Sequence, residues 1–67
     1  MYNKHMKLKE LREENNFTQA TVADYLNIKQ NTYSQYETEK RQLPIDALIK
    51  LSQLYKVSTD YILGLED

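Results

Sequence analysis

The 67-residue chain has no cysteine and no tryptophan, and it contains only one glycine and one proline. Without cysteine the fold has neither a disulfide nor a thiolate metal site, which suits a cytoplasmic protein held together by packing alone. A sheet protein would need turn residues roughly every 8–12 positions, and one glycine with one proline cannot supply them. No apolar run approaches the roughly 18 residues that cross a bilayer, and no signal segment precedes one. We therefore expect no contact with a membrane.

A chain this short buries only about 60% of the surface that it exposes when unfolded, which leaves no room for a buried catalytic chamber. No acid/base pair, nucleophile or metal-ligand cluster is present at a functional spacing, and His5 stands alone. One glycine cannot form a glycine-rich phosphate loop. We predict that the protein is not an enzyme and has no cofactor, metal or small-molecule ligand.

Hydrophobic residues make up 40% of the chain, and their spacing predicts helices joined by short turns. Thr18 and Ser58 are suited to cap helix N-termini, whereas Asn27 and Gly64 tolerate the left-handed backbone that ends helices. The prediction is an all-α, compact five-helix domain spanning residues 1–67. Its helices are expected at about 4–15, 18–26, 29–37, 45–55 and 58–64.

The fourth predicted helix has the most apolar sequence. Pro44 is expected in its first turn, and Asp46 suits the positive end of the helix dipole. This helix is therefore predicted to be the most buried one. Its apolar stripe comprises Ile45, Leu48, Ile49, Leu51, Leu54 and Tyr55.

The third predicted helix, KQNTYSQYE, carries an unusual polar face of amides and hydroxyls. Amide side chains match the hydrogen-bonding edge of adenine in the major groove, and each good pair is worth about 1–3 kcal/mol of discrimination. An ordinary solvated face is the alternative. The candidate base-reading residues are Gln30, Asn31, Thr32 and Gln35.

The order of these segments resembles the Cro/Xre-type helix-turn-helix family, which includes phage repressors. The resemblance covers roughly residues 6–65 and rests on LKELREENNFTQ, VADYLNI, KQNTYSQYE, the following KR and the closing VSTDYIL. It implies a sequence-specific regulator of transcription that binds double-stranded DNA, expected to be a repressor on a two-fold symmetric operator with 29–37 as recognition helix. A helical protein-interaction adaptor, such as an antitoxin-like partner, is the alternative on the same fold.

The family resemblance also implies roles for charged and polar residues outside the reading face. Arg12 on the first helix is expected to form an ion pair with Glu37 at the end of the recognition helix, and Arg12 can additionally touch a phosphate. Gln19 is expected to hold a phosphate and to brace the recognition helix. The expected phosphate-binding residues are Gln19, Lys29, Ser34, Lys40 and Arg41.

Three positions differ from the usual family pattern. Asn27 replaces the common glycine of the turn, Lys29 stands where a serine or threonine often caps the recognition helix, and Thr38-Glu39 replaces a frequent Asn-Gly. The loss of the cap removes about 0.5–2 kcal/mol of helix stability. Glu39 adds a negative charge close to the expected path of the phosphates.

The charges are unevenly distributed along the chain. Residues 1–12 contain Lys4, Lys7, Lys9 and Arg12 against Glu10, a formal +3, and residues 57–67 carry a formal −3. Few phosphates can be neutralised, so occupancy is expected to need base contacts and two linked half-sites, and hence a homodimer on DNA. Ile62 and Leu65 at the acidic end are candidates for the subunit contact, or else for the core. Both a complete small regulator and the first domain of a longer repressor fit the sequence.

Overall fold

The computed structural model describes residues 6–66, and within them the chain forms five α-helices and no strand. The all-α five-helix prediction is therefore confirmed. In chain order the helices are α1 (Leu8–Glu14), α2 (Gln19–Leu26), α3 (Gln30–Glu37), α4 (Ile45–Tyr55) and α5 (Thr59–Ile62).

Two helices begin at the hydroxyl caps that the sequence predicts. The Thr18 hydroxyl accepts a hydrogen bond from the backbone N–H of Thr21 at 3.1 Å, and the Ser58 hydroxyl accepts from the N–H of Tyr61 at 3.0 Å. Each cap satisfies a backbone donor that the first helical turn leaves unpaired. Lys29 precedes α3 and provides no side-chain cap.

The outer helices are shorter than predicted. α1 begins at Leu8 because Lys7 has φ −101° and ψ 29° and its N–H donates to the carbonyl of Ile62 at 2.8 Å. Predicted helical residues 4 and 5, together with residues 1–3 and 67, lie outside the described part. α5 has only four residues. Pro44 has ψ 152° and precedes α4 as an extended residue, so its predicted place in the first turn is wrong.

All five helices are followed by a residue with positive φ, although the chain has a single glycine. These residues are Asn16 (φ 59°), Asn27 (60°), Glu39 (60°), Lys56 (57°) and Gly64 (78°). The reversal lets the next N–H groups bond back to the last helical carbonyls, as when the N–H of Leu65 donates to Asp60 at 2.8 Å. A left-handed conformation costs most residues about 1–2 kcal/mol, so Glu39 and Lys56 store strain.

The core lies between the five helices, and α4 is less buried than its sequence predicts. Ile45 and Ile49 are 71% and 47% exposed, although both belong to the predicted apolar stripe. Two residues apart on an α-helix point about 200° apart, so Ile49 faces away from the fully buried Leu51. The buried hydrophobic residues are Leu8, Leu11, Val22, Ala23, Leu26, Tyr33, Tyr36, Leu51, Tyr55 and Ile62.

No helix among residues 6–66 is long and apolar enough to cross a membrane. The same residues contain no cluster of three or more histidine or acidic side chains that could hold a metal ion.

Candidate nucleic-acid interface

A tight turn joins α2 to α3 and orients the polar helix. Asn27 takes the left-handed conformation, with φ 60° and ψ 45°, and the N–H of Ile28 donates to the carbonyl of Ala23 at 3.0 Å. Ala23 is only 1% exposed, and its small side chain suits the close approach of two helices. Asparagine is among the residues that tolerate this conformation best after glycine, so the substitution in the turn is benign.

α3 presents two different faces. Tyr33 and Tyr36 are buried in the core, while Gln30 and Asn31 are exposed and Thr32, Ser34 and Gln35 are half-buried. The structure thus places all four candidate base-reading residues on the uncharged part of α3 that its core tyrosines leave uncovered. Their side chains offer both hydrogen-bond donors and acceptors.

Cations lie at both ends of this neutral face. Lys29 directly precedes α3, and Lys40 and Arg41 follow it in the loop; all three are exposed. The single ion pair among the described residues is Arg12–Glu37, so none of these three cations is paired with a carboxylate. The acidic Glu39 is also exposed and lies between them in sequence. A neutral reading face with cations at both ends is suited to a helix lying between two phosphate backbones.

The loop after α3 folds back onto the carbonyl end of the helix. The N–H of Lys40 donates to the carbonyl of Gln35 at 2.9 Å, and the N–H of Glu39 donates to that of Tyr36 at 3.2 Å. In addition, Arg41 Nε donates to Gln35 Oε1 at 3.1 Å. A candidate phosphate-binding residue is therefore bonded to a candidate base-reading residue, a contact that the sequence pattern does not predict.

The Glu37 carboxylate joins the first three helices. It accepts from Arg12 Nε at 2.6 Å and Arg12 Nη2 at 3.3 Å, from Gln19 Nε2 at 3.0 Å and from the Tyr33 hydroxyl at 2.7 Å. The side chains of Arg12 and Glu37 are 12% and 4% exposed. Arg12 Nη1 also donates to the carbonyl of Phe17 at 3.1 Å. The guanidinium is thus committed to bonds within the protein, which leaves little of it for the phosphate contact that the resemblance implies.

These contacts shift the protonation equilibria of the cluster. Burial is the largest single effect on Glu37 and opposes its ionisation, but hydrogen bonds from Arg12, Tyr33 and Gln19 outweigh it and lower its pKa. The hydrogen bond to Glu37 raises the pKa of Arg12 against an opposing effect of burial. Burial, followed by the bond to Glu37, raises the pKa of Tyr33. Arg12 and Glu37 are therefore charged at neutral pH while the Tyr33 hydroxyl keeps its proton, and their bonds join α3 to α1 and α2.

Gln19 lies in the first turn of α2 and braces α3 through Glu37. Its amide nitrogen has a second N–H, which has no acceptor among the described residues. Sequence reasoning did not assign Tyr33 to this cluster. Its position four residues before Glu37, on the same face of the helix, was an available signal.

The fold and this surface define a helix-turn-helix protein, in which α2, a short turn and α3 form the motif. A helix-turn-helix family model matches residues 8–62, and the chain belongs to this family, of the Cro/Xre type. The family comprises DNA-binding domains of transcriptional regulators and is not a class of enzymes.

The chain is similar to known regulators of Bacillus subtilis (strain 168). It is 48% identical over 61 residues to the HTH-type transcriptional regulator ImmR, covering 91% of this chain and 48% of ImmR. It is 41% identical over 61 residues to the uncharacterized HTH-type transcriptional regulator YobD, covering 91% of this chain and 54% of YobD. The chain thus spans about half the length of these curated relatives.

The fold is similar to that of the P22 c2 repressor, whose structure was solved in complex with a synthetic operator. The TM-score is 0.80 at 22% sequence identity, and the match covers 90% of this chain and 91% of the repressor chain. At this identity the likeness establishes the fold alone.

Proposed function

We propose that this protein is a sequence-specific regulator of transcription that binds double-stranded DNA and acts as a repressor in the cytoplasm. The observation that carries the proposal is the neutral, hydrogen-bonding face of α3 between exposed Lys29 and the exposed pair Lys40 and Arg41. The Arg12–Glu37 cluster supports it, because a recognition helix must hold one orientation against the rest of the domain.

In this proposal α3 lies in the major groove, where base edges present distinct patterns of donors and acceptors. The base contacts come from Gln30, Asn31, Thr32 and Gln35. The phosphate contacts come from Gln19, Lys29, Ser34, Lys40 and Arg41. Phosphate contacts fix the position of the protein along the duplex, and base contacts provide specificity.

The charge of the chain supports the proposal of a second subunit. With a net charge of −1 and few cations near α3, one domain gains little from neutralising phosphates. Two domains on half-sites about 34 Å apart would add their base contacts, so we infer a homodimer on a two-fold symmetric operator. Occupying such an operator would occlude a promoter.

The subunit contact that we infer is formed by α4. Of the two residues that the sequence assigns to the subunit contact or to the core, Ile62 is fully buried and belongs to the core, whereas Leu65 remains 46% exposed. Ile45 and Ile49 lie one turn apart on the outer side of α4, with Asp46 towards its N-terminus and Lys50 further along. An antiparallel pairing of two α4 helices would bury both isoleucines and bring Asp46 of each helix near Lys50 of the other. This complementarity favours a second copy of this chain as the partner that covers the outer side of α4.

The test of DNA reading compares Gln30→Ala and Asn31→Ala with Glu14→Gln, which changes an exposed side chain on α1, away from the proposed contacts. Fluorescence anisotropy over a salt series would measure binding, after selection of the preferred duplex from random sequences. We expect the selected site to be an inverted repeat. Each α3 variant should lose about 1–3 kcal/mol of preference for that site at an unchanged melting temperature, with no effect of the control.

Failure of the unmodified protein to bind duplex DNA at low salt would overturn the proposal and favour the adaptor function.

The dimer is tested by Ile49→Glu, with Leu65→Glu as its control. Sedimentation on operator DNA should show one protomer per site for Ile49→Glu and two for the control. Two protomers for both variants would exclude the α4 contact.

A further inference from the structure

Gln35 is the one candidate base-reading residue whose side chain is already bonded to another side chain in the described part of the protein. Its Oε1 accepts from Arg41 Nε at 3.1 Å, and no described residue accepts a hydrogen bond from its Nε2. The amide group is therefore oriented before DNA arrives. Its oxygen points towards the guanidinium, and its two N–H groups remain for another partner.

The backbone holds Arg41 beside Gln35. The N–H groups of Lys40 and Arg41 both donate to the Gln35 carbonyl, at 2.9 and 3.3 Å. These two backbone bonds depend on Glu39, whose φ of 60° reverses the chain after α3 and returns it to the end of the helix. Arg41 has no carboxylate within ion-pair distance among the described residues, although Glu39 is only two positions away. The loop thus directs its guanidinium towards the amide of Gln35.

The orientation of this amide decides which base it can read. Adenine places an N6 amino donor beside the N7 acceptor, so a glutamine must accept and donate at once to bind both. Here the positively charged guanidinium lies beside Oε1 and disfavours a second donor at that oxygen. Guanine offers two neighbouring acceptors, N7 and O6, to the same edge of the groove. The remaining N–H groups of Gln35 and Arg41 therefore match the two acceptors of guanine better than the acceptor and donor of adenine.

We propose that Arg41 is a positioning residue for base recognition, which orients Gln35 as a hydrogen-bond donor and makes it select guanine over adenine. This inference rests on the proposed function, because it requires α3 to lie in the major groove. It gives Arg41 a role in specificity that a phosphate contact alone does not have. The exposed bond between the two side chains strengthens when DNA excludes water from it.

The experiment compares four variants on duplexes that differ only by guanine or adenine at the position read by Gln35. That position is the one at which Gln35→Ala removes the preference of the unmodified protein. We expect Arg41→Ala to reduce the preference for guanine by roughly 5- to 160-fold, the range of one good base contact. Arg41→Lys keeps the charge without the planar fork, so it should lose most of this preference while largely retaining the salt dependence.

Lys40→Ala is the matched control, because it removes the neighbouring exposed cation without touching the Gln35 side chain. It should weaken binding to both duplexes equally and reduce the salt slope by about one, with the guanine preference intact. The inference is wrong if Arg41→Ala behaves like this control, or if the unmodified protein prefers adenine at the Gln35 position. Absence of any sequence preference in the unmodified protein would instead refute the proposed function. Melting temperatures of all variants would verify that they remain folded.

Discussion

Replacing Glu37 by glutamine is expected to be the most damaging single change to the polar residues of this domain. The substitution keeps the size of the side chain but removes the charge that pairs with Arg12. It also replaces an acceptor oxygen by an NH2 donor, although the surrounding groups of Arg12, Gln19 and Tyr33 are themselves donors. The two charged side chains are only 4% and 12% exposed, so water cannot replace the lost partner of Arg12. Removing one partner of a buried ion pair costs about 3–5 kcal/mol.

That cost equals the whole net stability of about 3–5 kcal/mol expected for a domain of this size. Glu37→Gln should therefore be largely unfolded at 25 °C, as measured by circular dichroism during urea denaturation. Glu14→Gln, an exposed glutamate of α1, is the control and should change stability by no more than about 0.5 kcal/mol. The double variant Arg12→Met, Glu37→Gln should recover part of the loss, because it leaves no unpaired buried charge.

The same carboxylate gives the domain an acid-sensitive stability. Its pKa is lowered in the folded protein, so its contribution is fully present above the unfolded value near 4.5 and disappears as the pH falls through the folded value. The unmodified domain should lose stability as the pH falls below about 4.5, and the partly recovered double variant Arg12→Met, Glu37→Gln, which lacks this carboxylate, should lose less. A loss below about 1 kcal/mol in Glu37→Gln, with an unchanged pH profile, would refute the reasoning, since an exposed ion pair is worth no more.

Three further changes test local features of the fold by urea denaturation. Glu39→Gly should stabilise the domain by about 1 kcal/mol because glycine adopts the left-handed conformation without strain, and equal or lower stability would contradict this. Tyr55→Phe removes a buried hydroxyl that has no partner among the described residues, so the variant should be at least as stable, and a clear loss of stability would contradict this. Thr18→Ala should cost about 0.5–2 kcal/mol through loss of the α2 N-cap, whereas Thr38→Ala should cost less, because the Thr38 hydroxyl only donates to carbonyls at the end of α3; equal losses would contradict this.

Local features of the fold were predictable because they depend on neighbours in the sequence. The hydroxyls of Thr18 and Ser58 cap helices through backbone groups three residues away, and Asn27 reverses the chain by its own conformational preference. The reversals at Glu39 and Lys56 were not predictable in this way. Neither residue favours positive φ, and the free-energy cost of this conformation is offset only by the packing of the segment that follows.

Features that depend on packing partners were predictable in part. The apolar stripe of α4 was visible, but which side of the helix the core covers depends on the other helices, so Ile45 and Ile49 were assigned to the wrong side. The pairing of Arg12 with Glu37 followed from the family resemblance and not from the residues alone. The bond between Gln35 and Arg41 depends on the path of the intervening loop, which the sequence does not specify.

The backbone bond between Lys7 and Ile62 joins two segments that lie near opposite ends of the described chain, at a distance of 2.8 Å. Mechanical force applied between the two ends would therefore load this contact first. α5 has only four residues and is too short to persist without its packing, so it should peel away early. Stretched in this way, the domain would yield from its ends inwards, and α2 and α3 would be among the last parts to lose their arrangement.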